Sequence, residues 1–338
     1  MRPLKVSWMA NVAIFILLAV VHCCWAYDEP MVELSSPKGR PEPCWLFTHM
    51  QKAGGSTIKD MIFKRWGRRR GAANVYDTKI WRRGQAETDR FVERFMNGTW
   101  DVVYGSAVEG MRHSVEFVGE CKWFTVFRHP IPRLVSAFFY CKRVPRDILC
   151  AVSTLKANKK SFGLVDFARH WGNYGLRQFS FGQVGANDVL AAFSSGELKV
   201  PGEKSWRDTD SWYLLKVYLD NRASAGVSKP AEDMTMYDLL RPAQDLIEKR
   251  YAAVGILEEF NTTLALFDAS LGMRDMNWQG RFDSMGAANI NSKNKELERQ
   301  TLEKAWTDSE LKSYIQLDLL LYEHAKAVFR KQVRLHGL

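Results

Sequence analysis

The sequence has no Cys-x-x-Cys pair, no His-rich cluster, no internal repeat and no low-complexity tract. The first two absences remove the usual spacing signatures of a zinc site. The other two remove solenoid, propeller and fibrous architectures. Acidic residues are in deficit: 38 Asp and Glu stand against 48 Lys and Arg, a net charge of +10. That balance points to an anionic partner, and nucleic acid, a membrane surface, a nucleotide and an acidic polysaccharide all fit it. What is present is ordinary for a globular chain with a sizeable core: 338 residues, 46% hydrophobic and 25% charged.

The N-terminus narrows the choice. Arg2 and Lys5 precede an apolar stretch over residues 8–26, densest over 12–21. A short basic flank followed by an apolar segment is a secretory-pathway signal. At ~1.5 Å per residue the stretch just spans a hydrocarbon core of ~30 Å, as a retained signal-anchor would. Cys24 and Ala26, small residues before Tyr27, also suit a cleaved signal peptide. Either reading sends the rest of the chain to the secretory lumen or outside the cell. Nucleic acid is thereby disfavoured as a partner.

Outside that stretch stand Cys44, Cys121, Cys141 and Cys150, which allow three complete pairings. The short Pro-containing separation favours Cys141 with Cys150, and Cys121 reads equally well as a free buried cysteine. Two sequons, Asn97-Gly98-Thr99 and Asn261-Thr262-Thr263, could be used for N-glycosylation in such a lumen. Residues 27–43, rich in Pro, Ser and charge, read as a stem.

From residue 44 the pattern becomes strand, loop, helix. Residues 44–48 suit a buried parallel strand; Gly54 and Gly55 break it, and Ser56 is placed to cap a helix running through Met61 and Ile62. Residues 122–127 read as a second strand, Pro130 and Pro132 turn the chain, and a helix is expected from Leu134. Residues 251–256 read as a third. After it Phe260, Leu264, Phe267 and Leu271 lie on one helical face, and Gly272 ends the helix. Leu311, Ile315, Leu319, Tyr322 and Phe329 predict a further amphipathic helix. Strands alternating with helices predict an α/β domain with a parallel sheet flanked by helices.

Two loops carry chemistry. In FTHMQKAGGSTI the glycines let backbone approach a ligand, the following helix N-terminus offers free N–H groups, and Lys52 adds a charge: an anion cradle. It is not a Walker A loop, in which lysine follows the second glycine. In FRHPIPRLVSAFF, Arg128 is expected at the C-terminal end of a strand, where open α/β sheets bind ligands. There it could grip a phosphate as a fork while Ser136, in the next helix, supplies a hydroxyl. Either loop alone would also suit a structural turn, with a solvated lysine or an arginine paired to a carboxylate.

Together, QKAGGST at residues 51–57 and RHPIPRLVS at 128–136 resemble the sulfotransferase superfamily, specifically its Golgi carbohydrate branch acting on heparan-, chondroitin- and dermatan-type chains. VGILEEFNTTLALFDASLG, NINSKNKE and DLLLYEHAKAVFRKQ resemble the family's later segments, so the likeness covers residues 44–333. It implies a P-loop-like fold in one lumenal domain, with residues 1–26 as signal-anchor or signal peptide and 27–43 as stem. It implies 3′-phosphoadenylyl sulfate as co-substrate, a glycan acceptor, anionic or neutral, and no metal. The protein would be a single-pass type II Golgi membrane protein.

By the same resemblance, Lys52 would neutralise charge on the oxygen that leaves sulfur. Backbone around Ala53, Gly54, Gly55, Ser56 and Thr57 would hold the 5′-phosphate, and Arg128 and Ser136 the 3′-phosphate. Ser292 and Lys293 would close over the donor, and Arg177 would reach substrate. The general base departs from the family pattern: Ser106 stands where one glycosaminoglycan group carries histidine, which leaves Glu109 and His113 as candidates. The basic, aromatic stretches RWGRRRG and WRR suit acidic sugars, or are simply a solvated face. Three rivals remain: a lumenal P-loop kinase, a non-catalytic binder of anionic glycans on the same fold, and a sulfotransferase for tyrosine or a small alcohol.

Overall fold

The computed structural model describes residues 44–66, 72–74, 94–95, 97–105, 108, 121–144, 162–176, 178–179, 236–273, 276–285 and 295–338. The apolar N-terminal stretch, the stem and most of both basic stretches lie outside them. Among the described residues no helix is long and apolar enough to cross a membrane.

Five strands form one sheet in the order β2-β3-β1-β4-β5: β1 Trp45–Thr48, β2 Ala72–Asn74, β3 Val102–Gly105, β4 Lys122–Phe127 and β5 Tyr251–Ile256. Every pairing is parallel. Nearly every residue of β1, β3, β4 and β5 is buried, as a parallel sheet covered on both faces requires. The expected α/β parallel sheet flanked by helices is therefore present.

The helices are α1 Gly55–Trp66, α2 Pro130–Arg143, α3 Leu164–Trp171, α4 Met236–Arg250, α5 Phe260–Leu271, α6 Trp278–Met285, α7 Lys295–Thr307, α8 Ser309–Tyr314 and α9 Gln316–Leu335. On one sheet face Phe47 lies 5.0 Å from Phe124, which meets Phe267 of α5 and Trp278 of α6. On the other Phe127 stacks on Phe179 at 5.0 Å. The edge of β5 is closed by α9, whose Gln332 accepts from Val254 N–H at 2.8 Å and donates to the Tyr251 carbonyl at 3.0 Å. A second apolar cluster joins α2, α3, α7 and α8 around Phe138, Phe167, Trp171 and Ile315.

Four sequence expectations are corrected. Helix α1 starts at Gly55, with the Gly54 carbonyl accepting Thr57 N–H at 3.0 Å, so Ser56 lies exposed in the first turn rather than at the cap. Helix α2 starts at Pro130, four residues before Leu134, because prolines in a first turn lose only N–H groups that have no helical partner. The last amphipathic helix is two, broken at Ile315, because Asn173 Oδ1 accepts the Leu317 and Asp318 N–H groups at 3.1 Å and so caps a new start. Cys121 is not free but bonded to Cys44, with Cα atoms 4.7 Å apart. A link spanning 77 residues stabilises by about 4.5 kcal/mol in the chain-entropy picture. It ties together the N-terminal ends of β1 and β4, opposite the loops of interest. Cys141 is disulfide-bonded as well, and its expected partner Cys150 lies outside the described residues.

Candidate functional site

The strand order fixes where a ligand can sit. The chain leaves β1 toward β2 on one side and leaves β4 toward β5 on the other, although β1 and β4 are neighbours. Such a switch point opens a crevice at the C-terminal ends of the two strands. The loops that follow these strands carry Lys52 and Arg128.

The turn after β1 is shaped by its backbone. Lys52 and Gly54 both have positive φ, 63° and 80°, the left-handed region in which a non-glycine residue is strained. A Cβ on Gly54 would also fall 2.6 Å from Leu257 Cδ1, and one on Gly55 would overlap the His49 ring. This geometry presents the first amides of α1 to the crevice, with the positive end of the helix dipole behind them. The Lys52 ammonium rests over the Tyr140 ring of α2, 4.4 Å from its centroid.

His49 lies buried beneath this turn. Burial first, then the charges of Lys59 and Lys52, push its imidazole down to about 3, so it is neutral at physiological pH. Burial likewise pushes the Lys59 ammonium down to about 8, opposed by Asp60.

Arg128 follows β4 directly, and its Nη1 donates to the Lys52 carbonyl at 3.2 Å. The two motifs are thus brought together. Burial pushes this guanidinium below its usual value, while Glu258 and Glu298 act the other way. His129 caps α2, its Nδ1 accepting from Ile131 N–H at 3.3 Å. Along α2, Arg133, Ser136 and Tyr140 recur at spacings of three and four, one helical stripe. Tyr140 meets Lys52, which places the half-buried Ser136 on the stripe that faces the β1 turn.

Sequence reasoning missed the supports. Glu258, in the turn after β5, accepts the His129 N–H at 2.9 Å and the Tyr322 hydroxyl at 3.1 Å. Asp318 forms a buried ion pair with Arg133. Gln178 donates to the His49 carbonyl at 3.1 Å. The C-terminal stretch DLLLYEH contains both Asp318 and Tyr322 and was the one signal that could have found them.

Glu109, His113, Arg177, Ser292 and Lys293 lie outside the described residues, as does Ser106. Among the described residues no group of three or more His, Cys, Asp or Glu is placed to hold a metal ion. Of the sequons, Asn97 lies in an exposed turn, whereas Thr263 is buried and bonded to the Ile256 backbone. No protein-family model matches the chain, and no curated protein matches it.

Proposed function

We propose that this chain is a sulfotransferase that moves a sulfuryl group from 3′-phosphoadenylyl sulfate to a hydroxyl of a glycan. One observation carries the reading: the Arg128 guanidinium bonds to the Lys52 carbonyl at the switch point. That contact makes one site of two loops that each resemble half of a donor pocket. Two anion positions, one at the α1 N-terminus and one at Arg128, suit a nucleotide phosphorylated in two places. A glycine-containing turn that follows a central strand of an all-parallel sheet and leads into a helix supports reading the fold as P-loop-like.

The donor supplies a sulfuryl group attached through an oxygen that can leave with the 5′-phosphate. The amides of Gly55 and Ser56 bind that phosphate, the Thr57 N–H being taken by the Gly54 carbonyl. Lys52, on a flexible stem, swings from Tyr140 to offset charge on the leaving oxygen. Arg128 and Ser136 bind the 3′-phosphate. The acceptor hydroxyl passes its proton to a base, for which Glu109 and His113 are the candidates.

The disulfide-bonded state of Cys44, Cys121 and Cys141 supports an oxidising compartment. With the basic, apolar N-terminus it favours a single-pass type II Golgi protein with residues 44–333 in the lumen. The net charge of +10 favours an acidic glycan as acceptor.

The test incubates the full chain with sulfur-labelled 3′-phosphoadenylyl sulfate and a panel of desulfated and partly sulfated glycans. Label in a glycan, absent for Lys52→Ala, supports the reading. Phosphate transfer from ATP instead would favour the kinase, and glycan capture without transfer would favour the binder.

A further inference from the structure

Helix α9 grips the element that follows β4 at two points, one turn apart. The first is Asp318, whose carboxylate pairs with Arg133; these residues are 3% and 2% exposed. Asp318 also accepts the Gly175 and Leu176 N–H groups at 3.1 and 2.8 Å. The Arg133 guanidinium lies over the rings of Trp171 and Tyr174, at 5.1 and 5.5 Å. Through Nη2 this guanidinium is tied to Asp318, so the second arginine of RHPIPR anchors the start of the helix that follows the first.

The second point is Tyr322, four residues on and therefore on the same face of α9. Its hydroxyl donates to Glu258 Oε2 at 3.1 Å, and Glu258 Oε1 accepts the His129 N–H at 2.9 Å. The Tyr322 ring meets His129 edge-on at 5.1 Å, and Trp306 of α7 lies 4.6 Å from the same imidazole. Burial and the nearby Glu258 charge push the Tyr322 phenol up, so it remains a donor across the physiological range. His129 is next to Arg128 in the chain and Arg133 opens the second turn of α2. Both holds thus lie within five residues of Arg128, on the chain that follows it.

We propose that Tyr322 and Asp318 are positioning residues of the donor site: through Glu258 and Arg133 they fix the main chain beside Arg128 and so set the affinity for a 3′-phosphate. This rests on reading Arg128 as the 3′-phosphate anchor. A role in stability alone would weaken every ligand alike. A positioning role acts only through Arg128.

Tyr322→Phe removes one hydroxyl and keeps the ring, whereas Asp318→Asn strands a buried guanidinium and risks unfolding. Calorimetry on the full chain would measure 3′,5′-adenosine bisphosphate binding by wild type, Tyr322→Phe, Arg128→Ala and the double variant. Tyr322→Phe should raise Kd about fivefold, because only part of the worth of a hydrogen bond to a charged group is passed on to the site through Glu258. In the Arg128→Ala background it should change Kd less than about twofold, because coupled residues do not add. An equal effect with and without Arg128, or none in either, would overturn the proposal. If wild type binds the bisphosphate no better than AMP, the reading of Arg128 itself falls, and the proposal with it.

Discussion

The turn after β1 is shaped by its own backbone, whereas the turn after β4 is shaped by side chains that arrive from 129 and 185 residues away, Glu258 and Asp318. In the first, positive φ at Lys52 and Gly54 and the missing Cβ of Gly55 set the path of the chain. In the second, prolines start a helix, and two carboxylates, one at its N-cap and one a turn further on, hold that end of it. A local device tolerates change far away in the sequence but not within itself. A long-range device can be altered from another helix.

The largest effect that sharpens this contrast concerns chemistry rather than shape. The first turn binds through its amides, so Lys52→Ala should leave nucleotide binding within a few-fold while lowering transfer by about 10² to 10³-fold. Steady-state rates and bisphosphate affinity on the same protein check it; a parallel loss of both would mean that the side chain, not the backbone, makes the cradle.

The next effect is on stability. Gly55→Ala drives a methyl into the buried His49 ring and should cost about 3 kcal/mol, read as a fall in Tm or in the denaturant midpoint. Ser56→Ala, one residue on but exposed, should stay within about 0.5 kcal/mol of wild type. Equal effects at the two positions would break the claim that backbone geometry shapes this turn.

The smallest effect is a pH dependence. Folded His49 takes up a proton only near pH 3, against 6.5 for the ordinary group. Between those values the unfolded chain holds the extra proton, so stability is full above the upper value and falls as pH drops through the window. At pH 5 the loss is about 2 kcal/mol relative to pH 7. His49→Gln should flatten this part of the profile measured by denaturant unfolding, and an unchanged acid slope would contradict the buried, neutral histidine.

What the sequence revealed follows the same division. Strands β4 and β5 and helix α5, with its left-handed Gly272 cap, stand where apolar runs and glycines predict them. So do the loop that carries Lys52 and the strand end that carries Arg128, because each motif is local. Strands β2 and β3 were missed because three or four residues such as Ala72–Asn74 carry no periodicity. The Cys44–Cys121 link was left open beside a free Cys121 because its partners meet only once β1 and β4 pair, with Trp45 opposite Lys122. Glu258, Asp318 and Tyr322 belong to no short motif. Their roles appear only when β5 and α9 are laid beside β4.

The central claim is that the two turns form one site for a doubly phosphorylated nucleotide. Calorimetry of the full chain with 3′,5′-adenosine bisphosphate and with AMP, on wild type and Arg128→Ala, tests it most directly. The account predicts that wild type prefers the bisphosphate and that Arg128→Ala weakens it about 30-fold, the scale of a charge-assisted bond, while leaving AMP unchanged. Equal affinity of wild type for the two nucleotides, or equal loss of both in Arg128→Ala, would contradict it.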